Sequence, residues 1–356
     1  MHPDANPSPG GTGSASIRIE RNPSPEVWDS YVQSHPDASL FHGTAWQRVL
    51  ERTFGRYRPC HRLARRGETV CGVLPLYEVP GLPFGRSLVS TPLGVYGGIC
   101  ADDAEATQAL LADAETHARE IGARYVELRQ ERPLGMLPTK ELYVYFRYPL
   151  HAEHEANWKA IPGKTRRRIR VAEDNGLTYR VGGGDLLPRF YDVYTENMRN
   201  LGSPGFPRRL FETLLEEYGT QCMIFGVFLG ENMVAGSLMF HFRDRIMPYY
   251  SASTPEGLPL SANNFMYWKM TCHGVDRGLR VFDFGRSKKD SGSYHFKRHW
   301  GCTPIPLPYQ YQLVGQRAMP NLSPNNPKFS LAIRAWQRMP LRVAQWLGPK
   351  LAPYFP

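Results

Sequence analysis

Residues 221–253 hold three strand-like runs in succession, QCMIFGVFLG, ENMVAGSLMFHF and RIMPYYSAS, and this meander constrains the fold more than any other segment. The break at Gly230 and Glu231 has hairpin-turn character, so the first two runs pair antiparallel. Helical patterns precede the meander: EANWKAIPGKTRRRIRVAEDNG, then the strand LTYRV, then DLLPRFYDVYTENMRNL and PRRLFETLLEEYG. After it come the helix ANNFMYWKMTCHGVDRG, the strand RVFDFG, a helix through YHFKRHWG and the strand PLPYQYQLV. Strands and helices mixed in this order imply a layered α/β domain with helices on both faces of a sheet.

The first half follows a similar plan. SIRIER alternates like a strand, PEVWDSYVQS starts a helix at Pro25, and TAWQRVLERTFG reads as a helix with Thr44 as its N-cap and a stop at Gly55. The strands YRPCHRLARR and TVCGVLPLYEVP follow, then a turn-rich stretch around Pro83, Gly85, Pro92, Gly94, Gly97 and Gly98. The helix DDAEATQALLADAETHAREIG and the strands RYVELRQ and LYVYFRYPL complete it. Both halves have the element order of a GNAT fold. The expectation is therefore α/β, with two tandem GNAT-like acyltransferase domains at residues 17–150 and 151–315, each with its own sheet. A basic, proline-broken helical tail at 316–356 follows them. Residues 1–16, rich in Pro, Gly and Ser, are expected to be a disordered tail.

The net charge is +10, and its placement matters more than its size. No acidic residue follows Asp290, whereas Lys297, Arg298, Arg317, Lys328, Arg334, Arg338, Arg342 and Lys350 all lie beyond it. Such asymmetry points to an anionic partner or to a solvated basic surface. Cys60, Cys71, Cys100, Cys222, Cys272 and Cys302 are scattered singly, which suits reduced buried thiols better than a disulfide framework. No secretory signal and no membrane-spanning run is evident, so a cytoplasmic location is expected.

Four segments carry a more specific resemblance: KTRRRIRVAEDNG, the meander around VAGSLMFHF and YYSAS, SANNFMYWKMTCHGVDRG, and FDFGRSKKDSGSYHFKRHWG. They resemble the acetyltransferase-type domain of FemAB-family proteins, most closely those associated with bacterial exosortase (PEP-CTERM) and exopolysaccharide systems. Fem ligases move an aminoacyl group from tRNA to a cell-wall peptide. The resemblance therefore implies an acyl or aminoacyl donor, either aminoacyl-tRNA or an acyl thioester, with no tightly bound cofactor. It also implies that Lys297, in the aromatic–Lys context Phe296-Lys297, stabilises the oxyanion formed as an amine attacks the donor carbonyl.

The residues add candidates of their own. Asp283 at a strand end can orient an acceptor amine or accept its proton, or it can cap a turn, with Arg286 and Ser287 beside it. Of Tyr249 and Tyr250, adjacent on one strand, one must face away from the core. Lys164, Arg166, Arg167, Arg168 and Arg170 put cations around most of one helix, as suits a pyrophosphate or tRNA backbone. CoA-dependent GNAT enzymes carry a glycine-rich pyrophosphate loop at a helix start; STPEGLPLSANNF has one glycine, although Ser261, Asn263 and Asn264 could still begin an anion-binding helix. His295, His299 and Cys302 have metal-like spacing but are separated by Lys297 and Arg298, so no metal is expected. In residues 329–351 the tail alternates tryptophans with arginines, which suits either peripheral contact with an anionic membrane or packing on the body.

Three functions remain open: a FemAB-like transferase acting on an amine of a sugar, glycan or peptide precursor; an N-acyltransferase using acyl-CoA or an acyl-carrier protein; and a non-catalytic scaffold for anions or membrane. DNA binding is not expected. A cleft beside Lys297 distinguishes the enzymes from the scaffold.

Overall fold

The computed structural model describes residues 16–80, 85–135, 137–316, 318–319 and 330–354; the expected disordered tail lies almost entirely outside them. The first half contains β1 (Ile17–Arg21), α1 (Pro25–Ser34), α2 (Thr44–Phe54), β2 (Arg58–Pro59), β3 (Arg62–Arg66), β4 (Thr69–Leu74), β5 (Tyr77–Val79), β6 (Ser87–Val89), β7 (Cys100–Ala101), α3 (Ala104–Glu120), β8 (Tyr125–Arg129) and β9 (Thr139–Pro149). Next come α4 (His154–Ala160), α5 (Gly163–Asp174), β10 (Thr178–Gly182), α6 (Leu187–Leu201), α7 (Arg208–Tyr218) and the meander β11 (Cys222–Leu229), β12 (Asn232–Phe242) and β13 (Arg245–Ser253). The chain continues through α8 (Ala262–Asp276), β14 (Val281–Lys288), α9 (Gly292–His299), β15 (Ile305–Leu313), α10 (Ser330–Gln337) and α11 (Leu341–Leu351).

Local chemistry accounts for the boundaries. The Asp103 carboxylate caps α3 by accepting from the Ala106 amide at 2.9 Å, and Ala106, Leu110, Ala114 and Ala118 form its buried stripe. The helical stretch at residues 155–176 is two helices, because Pro162 has no N–H and holds Ile161 extended. Thr44 is the first helical residue of α2, not its N-cap; its hydroxyl donates to Asp29 at 2.5 Å.

The strands do not divide into one sheet per half, as the element order had suggested. A four-stranded sheet, β1-β3-β4-β7, belongs to the first half, but the other has eleven strands drawn from both, in the order β10-β11-β12-β13-β14-β9-β15-β8-β6-β5-β2. β9 leaves the first half to pair antiparallel with β14, and β15 returns from the second half to lie between β9 and β8. The exchange gives both long strands two neighbours, so their backbone groups are not left at an open edge. The runs expected as YRPCHRLARR and TVCGVLPLYEVP each cross between the sheets, as β2 then β3 and as β4 then β5. At this corner the His61 ring accepts from the Leu76 amide at 3.1 Å and stacks on Trp28. The core is continuous as well: Trp46, Tyr77 and Tyr96 share one buried cluster with Phe190, Phe211, Tyr218 and Phe240.

Candidate active site

β13 and β14 are parallel neighbours that pair only at Arg245–Val281 and Ile246–Phe282. Beyond those residues β13 follows β12 while β14 follows β9, and a cleft of about 310 Å³ opens between them. Pro248, Tyr249, Tyr250 and Ser251 line it from β13, and Phe284, Gly285 and Arg286 from β14. Tyr267 of α8, Ser293 and Lys297 of α9, Phe206, and Leu93 and Val95 of the first half complete the wall. Among the described residues this lining includes two cations and no carboxylate.

Lys297 is 5% exposed, and its ammonium donates to the backbone oxygens of Gly285 at 3.2 Å and Arg286 at 3.0 Å. A bulge in β14 brings those carbonyls together. Asp283 and Gly285 pair with successive residues of β9, leaving Phe284 as the extra residue, and Gly285 adopts φ +66°. Burial lowers the Lys297 pKa to about 7, opposed by the charge of Asp283 and reinforced by that of Arg286. Arg286 donates to the Tyr309 hydroxyl at 2.9 Å, and its guanidinium lies 4.6 Å from the Tyr143 ring centroid. No ion pair to Arg286 occurs among the described residues.

The two tyrosines differ. Tyr249 donates to the Leu93 carbonyl at 2.5 Å, which uses its hydroxyl to fasten the cleft wall. The Tyr250 hydroxyl has no partner among the described residues, although its ring packs on Tyr194, Phe206 and Phe211. Tyr250 is therefore the one with a hydroxyl available to a ligand. Burial raises both phenols well above their ordinary pKa, so each remains protonated.

Asp283 does not reach the cleft. It is fully buried, receiving Arg147 Nε at 2.6 Å, the Tyr96 hydroxyl at 3.1 Å and the Gly285 amide at 2.8 Å. The strand-end position suggested a base or a turn cap, but these contacts make it the brace of the bulge and of the first-half loop that carries Tyr96. Ser287 is also buried, outside the lining, and accepts from Ser293 behind the cleft wall. Ser261, Asn263 and Asn264 lie at the start of α8, likewise outside the lining; Ser261 is left-handed at φ 59°, and Asn263 donates to Ser253.

The basic helix is the N-terminal part of α5. Thr165, Ile169 and Ala172 face inward, while Lys164, Arg167, Arg168 and Arg170 are exposed and Arg166 is partly buried. Among the described residues none of these five cations forms an ion pair, and Arg170 lies over Trp158. Thr165 donates to the His299 carbonyl at 2.6 Å, fastening α5 to the end of the helix that carries Lys297.

Sequence reasoning missed the contribution of the first half. The turn-rich loop at residues 91–98 is pinned from its own side by Arg129, which donates to the Thr91 and Gly94 carbonyls, and by His42, which donates to Gly98. From the other side Tyr249 and Tyr309 donate to the Leu93 and Val95 carbonyls. Its glycines and Pro92 were visible as turn signals, but nothing local indicated that this turn would wall a cleft in the other half. Tyr267 and Phe206 were missed for the same reason.

Residues 163–298 match the family model for the acetyltransferase (GNAT) domain, a span that includes the diverging strands, Arg286 and Lys297. The chain carries a GNAT domain. Such a domain is that of an acyl-transferring enzyme. A crystal structure of FemX superposes on the protein with a TM-score of 0.66, covering 88% of this chain and 100% of its own, at 16% identity. L-PGS from Bacillus licheniformis gives 0.54, covering 89% and 98%, at 14% identity. A tandem GNAT protein from the clavulanic acid biosynthesis pathway gives 0.50, covering 85% and 100%, at 9% identity. At these identities the likeness is one of fold, and it extends beyond the GNAT domain into the first half. No curated protein matches the chain in sequence.

Proposed function

We propose that the protein transfers an acyl or aminoacyl group to an amine of an anionic sugar, glycan or peptide precursor in cell-envelope or exopolysaccharide biosynthesis, the setting its FemAB resemblance implies. The observation that carries this reading is Lys297, held by two carbonyls in a cleft whose other charge is Arg286. The acceptor nitrogen attacks the donor carbonyl carbon, and Lys297 stabilises the resulting oxyanion. The carbon–oxygen or carbon–sulfur bond to the donor then breaks, and the proton lost by nitrogen leaves with the donor group. Arg286 binds the anionic group of the precursor, unopposed by any acid in the lining.

The presence of this cleft favours the enzyme over a scaffold. Aminoacyl-tRNA is the donor favoured by the five cations of α5, none in an ion pair among the described residues, on a helix that lies against the end of α9. Acyl-CoA is less favoured, because α8 begins without a glycine-rich loop and without a side-chain cap. Changing Arg166, Arg167 and Arg168 to glutamine should flatten the salt dependence of tRNA binding by about 0.7 in log–log slope per lost contact to single-stranded RNA. An unchanged slope, measured by filter binding, would return α5 to an ordinary solvated face.

The reaction is tested by mass spectrometry of an amine-bearing precursor pool incubated with charged tRNA or acyl thioesters. The expected result is a mass gain of one acyl or aminoacyl group, formed far more slowly with Lys297→Met. A pool left unchanged by the native protein with every donor refutes the proposal. For Arg286→Gln, KM for the precursor should rise roughly tenfold or more, as for a lost charged contact, with a smaller change in kcat. A fall in kcat alone would remove Arg286 from the binding role.

A further inference from the structure

The tail divides into two faces. Trp336, Ala344 and Gly348 are buried as α10 and α11 pack on α6. Gln345 donates to Thr195 at 3.1 Å, Tyr57 to the Pro353 carbonyl at 2.6 Å, and a side chain at Gly348 would crowd the backbone of Gly205. The inward face of α11 is therefore already occupied. Arg342, Val343, Trp346 and Lys350 lie at helical spacing on the opposite side and are all exposed. Trp346 is 64% exposed and Val343 43%, and the Lys350 ammonium sits 3.5 Å from the centroid of the Trp346 indole.

We infer that this outward stripe of α11 is a docking surface for a bilayer containing anionic lipid. Three observations select that partner. The stripe combines an exposed indole and an aliphatic side chain with two cations, the composition of a helix lying at a lipid interface. Neither Arg342 nor Lys350 forms an ion pair among the described residues, and Arg334 and Arg338 are exposed as well. No acidic residue occurs anywhere after Asp290, so no side chain of the tail would oppose an anionic surface. Among the described residues no helix is long and apolar enough to cross a membrane, and the surface rests on the bilayer without spanning it. A soluble polyanion would satisfy the cations but would leave Val343 and the indole face in water.

The test is sedimentation of the full chain with phosphatidylcholine vesicles, with and without phosphatidylglycerol. The native protein should sediment with the anionic vesicles only, and less so as salt is raised. Arg342→Gln and Lys350→Gln should each weaken binding by about fivefold. Trp346→Ala should weaken it further while leaving the circular dichroism spectrum unchanged, because the indole is outside the core. Deleting the tail is a poorer experiment, since it would strip α6 of Trp336. Failure to bind anionic vesicles overturns the inference, as does binding indifferent to all three substitutions. Retention on RNA with the same charge dependence, but no loss in Trp346→Ala, would assign the stripe to nucleic acid instead.

Discussion

Replacing Lys297 with methionine is expected to lower kcat by roughly 10²–10³, the usual cost of losing one preorganised partner of an oxyanion. KM should change little, because the contact strengthens only as charge develops in the transition state. Stability should not fall with activity. The pKa of Lys297, depressed to about 7, means that folding favours its neutral form. Above the unfolded pKa of a lysine both states are neutral. As pH falls below it the unfolded chain takes up the proton first, so at neutral pH the buried amine destabilises the fold. Methionine removes that burden and keeps the packing, so thermal denaturation should show a Tm equal to or above that of the native protein. A large drop in Tm would mean that the two carbonyl contacts outweigh the desolvation. The pH profile separates the chemical roles: if the ammonium is the active form, the rate should decline as pH rises through about 7. That decline should be absent in Lys297→Arg, whose guanidinium stays charged. A rate that instead rises through 7 would make Lys297 a base.

Unfolding below neutral pH is the second large effect expected. Burial lowers the pKa values of His42, His61 and His241 to about 4. Each is neutral in the fold but would be charged in the unfolded chain below about 6.5, so its contribution is present above that pH and is lost as pH falls toward 4. For fully buried His42 and His61 the loss is about 3 kcal/mol each by linkage, comparable in sum with the net stability of a typical domain. The structural reason is plain at both sites. His42 accepts from the Ser39 amide and His61 from the Leu76 amide, and protonation of those nitrogens would set two donors against each other. Urea midpoints measured from pH 7.5 down to pH 4.5 should fall steeply, and His61→Gln, which can still accept from Leu76, should flatten the slope by about one proton. A flat midpoint over that range would show that these rings are not held neutral.

His61 also marks the limit of what was legible locally. The alternating runs around it were correctly seen as strands, yet nothing in them showed that each would cross from one sheet to the other at Cys60–His61 and Leu74–Leu76. The candidate site divides in the same way. FDFGRSKKDSGSYHFK was recognisable as the carrier of Lys297 and Arg286, but alternation misplaced the tyrosine pair: a bulge leaves Tyr249 without a partner on β12, and both rings pack on the same core cluster and line the cleft. Asp283 carried an equally strong local signal, but its partners Arg147 and Tyr96 are 136 and 187 residues away. A strand-end carboxylate looks the same in sequence whether it meets solvent, substrate or a buried arginine.

By itself the sequence determined the succession of helices and strands, the meander, the break at Pro162 and the acid-free, basic character of the tail. These depend on residue type and on spacing along a few turns of chain. Tertiary structure alone decided which strands are neighbours, that β9 and β15 exchange halves, that residues 91–98 wall the cleft, and that Trp336 is buried while Trp346 is not. Those outcomes depend on which distant surface covers each edge or face. Period and propensity are properties of one segment, whereas desolvation, strand pairing and a lysine pKa near 7 belong to the segments that meet there.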